Sequence, residues 1–185
     1  MSCPPPQPAP GVPEGPFSLY RPMIRAANGL TLSQVSAITG LESSTIQNWI
    51  KRGFVAHPVG KKYYGRQLAR ILLIAALRES MPLERIGAIM TRVNGDADDE
   101  SDDTVPEEQM YDYLYAVRHT LGESGFTRQR ALAVIEAVTA EYAAPDDSAC
   151  RRLTTALLTM ACACEATRLR QLADTCFGEL CAIDP

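Results

Sequence analysis

"TLSQVSAITGLESSTIQNWIKRGF", residues 31–54, carries its apolar side chains at the spacings of two short helices separated by a glycine. Thr31 with Gln34 three residues later is a capping-box pattern, in which each side chain satisfies a backbone N–H at the helix start. Leu32, Val35 and Ile38 share the face of the first helix. Gly40 ends it, because glycine adopts the left-handed C-cap backbone at little cost. Ser43 or Ser44 is placed to cap the second helix, with Ile46, Trp49 and Ile50 inward and Gly53 as its stop. If those three face the core, Ser44, Thr45, Gln47, Asn48 and Lys51 face outward, and Arg52 comes next at the helix end.

Working outward, "FVAHPVGKKYY" (54–64) reads as a small β-hairpin with Val59-Gly60 at its tip and Tyr63 and Tyr64 on the return. From Gly65 the period returns to helical: Leu68, Ile71, Leu72, Ile74, Ala75 and Leu77 make a broad apolar stripe. Pro82 fits the start of a further helix through Leu83, Ile86, Ile89 and Met90. Upstream, "FSLYRPMIRAANGL" (17–30) carries scattered apolar residues expected to pack onto the helices after it.

Charge is distributed unevenly. The chain as a whole is acidic, with formal net charge −4 over 185 residues. Yet residues 20–92 hold eleven Lys and Arg against three acids, leaving the remainder strongly acidic, and all three lysines lie between positions 51 and 62. A basic module succeeded by an acidic one is the expectation; a chance cluster on a solvated face is the alternative. The boundary is "NGDADDESDDT" (94–104), whose crowded carboxylates read as a solvated loop that buries nothing. A calcium-loop reading fails because Ser101 stands where the sharp-turn glycine belongs.

Helix, glycine turn, helix, hairpin and longer helix is the order of a winged helix-turn-helix. The outward Gln47 and Asn48 are residue types that bond adenine edges bidentately, with Ser44 and Thr45 beside them. Lys51 and Arg52 at the helix end, and Lys61 and Lys62 at the hairpin, are placed for phosphates, and Tyr63 and Arg66 beside them complete the expected DNA-binding set. The stretch "GLESSTIQNWIKRGF" resembles the "G-V-S-x-S-T-L-R-Y-Y-x-x-x-G-L" of MerR regulators without a gap. The likeness continues through "KKYYGRQLARILLIAALRE" and "LERI", over about residues 31–90. The chain also resembles the bacterial family called domain of unknown function 1836, over about residues 20–145. Gln47 and Asn48 replace the Arg-Tyr usual in MerR proteins, so their base contacts, metal sensing and promoter twisting are not implied.

Beyond the acidic loop the sequence reads as all helical. Residues 106–121 carry Met110, Tyr111, Leu114, Tyr115 and Val117. Thr127 is placed to cap a helix with Leu132 and Ile135. A long helix then runs from Asp146 or Asp147 to about Leu180. Its Leu153, Leu157, Met160 and Cys164 stripe is expected to form a homodimer through residues 146–181, with a monomeric bundle against the preceding helices as the alternative.

The chain divides into four regions: a disordered proline-rich tail (1–16), a mostly α winged helix-turn-helix with a β-hairpin wing (17–93), the acidic loop (94–104) and a helical C-terminal part (105–185). Six cysteines lack C-x-x-C spacing and have no nearby histidine, so they read as buried apolar filler in a reducing compartment, not as a metal site. "MSCPPPQPAPGVPEGP" has no basic start or apolar run, and no stretch reaches membrane-span length, so a cytoplasmic protein is expected. No catalytic set, phosphate loop or cofactor motif is visible. The expected function is sequence-specific binding of double-stranded DNA by a transcriptional regulator. The alternative is a protein-interaction module on the same scaffold.

Overall fold

The computed structural model describes residues 15–99, 103–122 and 125–183; the proline-rich residues 1–14 lie outside it. Eight helices succeed one another among these residues: α1 Phe17–Ala26, α2 Leu32–Thr39, α3 Ser43–Lys51, α4 Gly65–Leu77, α5 Leu83–Asn94, α6 Glu107–Leu121, α7 Arg128–Val138 and α8 Asp147–Ile183. The mostly helical class is as the apolar periods indicate. The segment before α2 is a helix in its own right, with Phe17 and Ile24 buried and Pro22 accommodated inside it.

The expected β-hairpin wing does not form. Among the described residues there is no strand, only two isolated antiparallel bridges, Leu30 with Tyr63 and Val59 with Lys62. The reason lies in where the backbone groups go. Pro58 has no N–H to give a ladder. The N–H of His57 donates to Asp98 Oδ1 at 2.9 Å, and its carbonyl accepts from Gln67 Nε2 at 3.1 Å. With residue 57 bonded to the acidic loop and to α4, no partner strand can extend. The remnant is a tight turn, Val59–Lys62, closed by hydrogen bonds of 3.0 and 2.9 Å. Its central residues Gly60 and Lys61 both have positive φ (57° and 63°), as the hairpin type I′ turn requires.

One hydrophobic core runs from Phe17 to Cys164 and joins both halves of the chain. α4 is its axis, with Leu68, Ala69, Ile71, Leu73, Ile74 and Leu77 all buried. α2 packs on it from one side through Val35, with α3 against α2 and its Ile46, Trp49 and Ile50 in the same core, and α6 and α8 pack from another through Leu114, Val117, Leu157 and Met160. The Leu153, Leu157, Met160 and Cys164 stripe is therefore consumed inside the chain. α8 nevertheless outruns the core: every residue from Arg168 to Ile183 is exposed.

Exposure corrects the reading of the cysteines. Of those described, Cys164 is buried and burial pushes its thiol up, whereas Cys150, Cys162, Cys176 and Cys181 are exposed and none is in a disulfide. Cys3 lies outside the described residues.

The acidic segment 94–104, of which residues 100–102 are not described, also departs from expectation: Asn94 and Ala97 are buried. The Asn94 side chain acts as a piece of backbone, donating to Val105 O at 2.8 Å and accepting from Val105 N at 3.2 Å. Thr104 Oγ1 donates to Val93 O beside it, and Tyr142 Oη donates to Thr104 O at 2.9 Å. Asn94→Ala orphans two buried peptide groups and is expected to cost about 2–3 kcal/mol in urea denaturation. A midpoint equal to wild type would show that the loop closes without this clasp.

Candidate nucleic-acid interface

The capping box at α2 is formed: Thr31 N donates to Gln34 Oε1 at 2.8 Å and Gln34 N donates to Thr31 Oγ1 at 3.3 Å. Gly40, at φ 67°, caps the other end. α3 starts one residue earlier than its serines suggest. Glu42 is its N-cap, in extended backbone and without a side-chain cap, so neither Ser43 nor Ser44 caps it. The inward face is Ile46, Trp49 and Ile50, all buried. Ser44, Gln47, Asn48 and Lys51 are exposed and lie within an arc of about 100° on the opposite side. None of these four side chains makes a hydrogen bond or ion pair among the described residues. Thr45 sits at the flank, half-buried.

The basic residues divide into three kinds. Lys51 and Lys61 are exposed. Lys61 is held at the turn tip in a left-handed conformation that costs a non-glycine residue roughly 1–2 kcal/mol. Arg52 and Lys62 are engaged but reachable. Arg52 Nη2 donates to Glu84 Oε1 at 2.6 Å, and its guanidinium lies 4.9 Å from the Phe54 ring centroid. The Glu84 carboxyl is held below its ordinary value by a hydrogen bond from its own backbone N–H and by Arg52. Lys62 Nζ donates to Gly29 O at 3.1 Å and Ala27 O at 3.4 Å, so it caps the end of α1, whose last turn carries exposed Arg25.

Tyr63 and Arg66 are the corrections. Tyr63 is 3% exposed, its backbone bridges Leu30 in both directions at 2.8 Å, and burial raises its phenol. Arg66 is buried, with Nη2 donating to Asp96 O at 3.2 Å, Asp99 O at 2.7 Å and Asp103 Oδ1 at 3.0 Å. In this fold both are structural and neither is presented to a duplex. The acids that look solvated in the sequence are the ones that hold Arg66. Asp98 pairs with His57, whose backbone N–H is the main cause of its lowered carboxyl. The acidic segment thus folds against the turn and α4 and leaves the outward face of α3 clear.

A pair that the apolar pattern does not disclose lies one turn further along α4. Arg70 Nη1 donates to Glu107 Oε1 at 2.6 Å, with side chains 2% and 0% exposed. It joins α4 to the start of α6. Burial raises the Glu107 carboxyl, and the Arg70 guanidinium opposes the shift. One signal was available: Arg66 and Arg70 recur at helical spacing among Leu68, Ala69 and Ile71.

Residues 24–114 match a protein family described as Domain of unknown function (DUF1836). The match stops inside α6, well short of the expected limit near residue 145. The chain is 33% identical over 96 residues to an uncharacterized protein, YkrK, of Bacillus subtilis (strain 168); the alignment covers 48% of this chain and 41% of that protein. The chain thus spans less than half of that relative's length. No solved structure matches. No described helix is long and apolar enough to cross a membrane.

Proposed function

We propose that α2 and α3 form a helix-turn-helix that binds double-stranded DNA sequence-specifically, and that the protein regulates transcription in the cytoplasm. α3 lies in the major groove in this reading, as the second helix of such a unit does. The observation that carries it is the Ser44, Gln47, Asn48 and Lys51 face, exposed and without internal partners. A solvent-facing helix gains nothing in stability from that choice of residues, whereas base edges need donors and acceptors of this kind. The likeness of "GLESSTIQNWIKRGF" to the corresponding stretch of MerR regulators supports the same reading, without the wing.

Phosphate contacts fall to Lys51 and Lys61, with Arg52 joining them. The Arg52–Glu84 pair is exposed and screened by water, so a phosphate can exchange for it. Keeping a lysine at the left-handed tip of the turn also fits a use for its charge.

Selection of bound duplexes from random DNA, then salt titration, tests the reading. With Lys51→Ala and Lys61→Ala combined, affinity is expected to fall for every sequence, and the slope of log K against log salt to drop by roughly two. Gln47→Ala or Asn48→Ala is expected to cost about 1–3 kcal/mol at one or two base positions while sparing non-specific binding. Wild-type slopes and wild-type specificity ratios in these variants would move the interface off α3. An absence of salt-dependent duplex binding would favour instead an acidic protein partner for this face.

A further inference from the structure

The last sixteen residues of α8 that the structure describes are all exposed, tied to the body at their start, where Arg170 and Gln171 bond Glu79. Beyond Gln171 the helix has no hydrogen bond or ion pair to the body among the described residues. It is also not built for water. Leu169, Leu172, Leu180 and Ile183 are 50–72% exposed, and with exposed Cys176 they fall within an arc of about 80°. Phe177, 67% exposed, borders the same stripe. Soluble chains rarely leave a continuous apolar face of this kind open. The core of the monomer does not reach it, because the apolar partners of α8 end at Cys164.

We propose that a second copy of this chain covers the stripe, the two α8 extensions packing antiparallel about a two-fold axis beside Cys176. Two features select this occupant and orientation. The stripe positions 169, 172, 176, 180 and 183 are spaced 3, 4, 4 and 3, which reads the same in both directions. A two-fold axis at Cys176 therefore sets Leu172 against Leu180 of the partner subunit and Leu169 against Ile183 of the partner subunit, with no register left unmatched. The mean spacing of 3.5 residues is that of a two-helix seam. Charge adds the direction. Arg168 and Arg170, which pair with Glu165 and Glu79 within the chain, lie toward the start of the overhang, and Glu179 toward its end. Antiparallel packing sets the basic end of one helix beside the acidic end of the other, and opposes their macrodipoles. Parallel packing would set like beside like. The interface is isologous, so it closes at two copies. It stands on these features alone and does not depend on DNA binding.

Sedimentation of the full chain at tens of micromolar is the test, with a dimer of twice the 20.2 kDa chain mass expected. Leu172→Asp combined with Leu180→Asp should weaken dimerisation by about a hundredfold or more, because two apolar layers become charged. Both side chains are exposed in the single chain, so the thermal melt of the monomer should not change. Mild oxidation should trap a disulfide dimer through Cys176 when Cys3, Cys150, Cys162 and Cys181 are replaced by serine. Adding Cys176→Ser should abolish it. In that last background Leu172→Cys should give no crosslink, since antiparallel copies hold the two new thiols about 12 Å apart along the axis. A clean monomer at these concentrations would overturn the proposal and leave the stripe to a different protein. A dimer indifferent to the two leucine substitutions would place the contact elsewhere, and an efficient Leu172→Cys crosslink would overturn the antiparallel arrangement.

Discussion

Arg70→Ala is expected to cost about 3–5 kcal/mol of folding free energy, a large share of what a domain of this size possesses. Arg70 and Glu107 lie at the junction of α4 and α6, 2.6 Å apart, with almost no solvent on either side chain. Removing the guanidinium strands a carboxylate that water cannot reach, and that stranding sets the cost. The pair itself is a poor source of stability, since two desolvated ions roughly cancel their own attraction. Arg70→Met with Glu107→Leu should therefore fold at least nearly as stably as wild type, while each single change is severe. Urea denaturation of the four proteins checks this; a double variant as unstable as Arg70→Ala would mean that the pair supplies net stability.

The same pair predicts a pH dependence. Burial raises the Glu107 carboxyl above its ordinary value, so the folded chain holds that proton more tightly than the unfolded chain does. Between the unfolded and folded values this group makes stability fall as pH rises. Glu107→Gln has no such titration, and the difference between it and wild type should narrow or widen across that window in this sense alone.

Trp49→Ala is expected to cost about as much, roughly 3–5 kcal/mol, through the cavity left by the ring. Trp49 is 4% exposed and lies between Ile46 and Ile50 on the inner face of α3. Its carbonyl accepts from Phe54 N at 2.9 Å, which sets the exit of the chain from the helix. A collapse here would loosen α3 against α2 and with it the orientation of Gln47 and Asn48. DNA binding should then fail for all sequences together, unlike the selective loss expected of Gln47→Ala. Thermal melting by circular dichroism gives the stability. A variant that melts with wild type would show that the ring contributes no packing.

Local signals in the sequence determined the local structure well. The capping box at Thr31, the glycine stop at Gly40, the Thr127 cap and the long final helix each depend on residues within a turn or two, and each forms. The same period that put Ile46, Trp49 and Ile50 inward put Ser44, Gln47 and Asn48 outward. The features that only the tertiary structure decided depend on partners distant in the chain. The spacing of Arg66 and Arg70 sets them among the apolar residues of α4, but nothing near them says that Asp103 and Glu107 are the acids that meet them. Nothing within 54–64 says that Asp98 and Gln67 will take the backbone of His57 and leave no ladder for a hairpin. On α8, periodicity shows that a stripe exists but not where its cover ends: Leu157 is buried and Leu172 lies open, because burial is a property of what arrives opposite a face and not of the face itself.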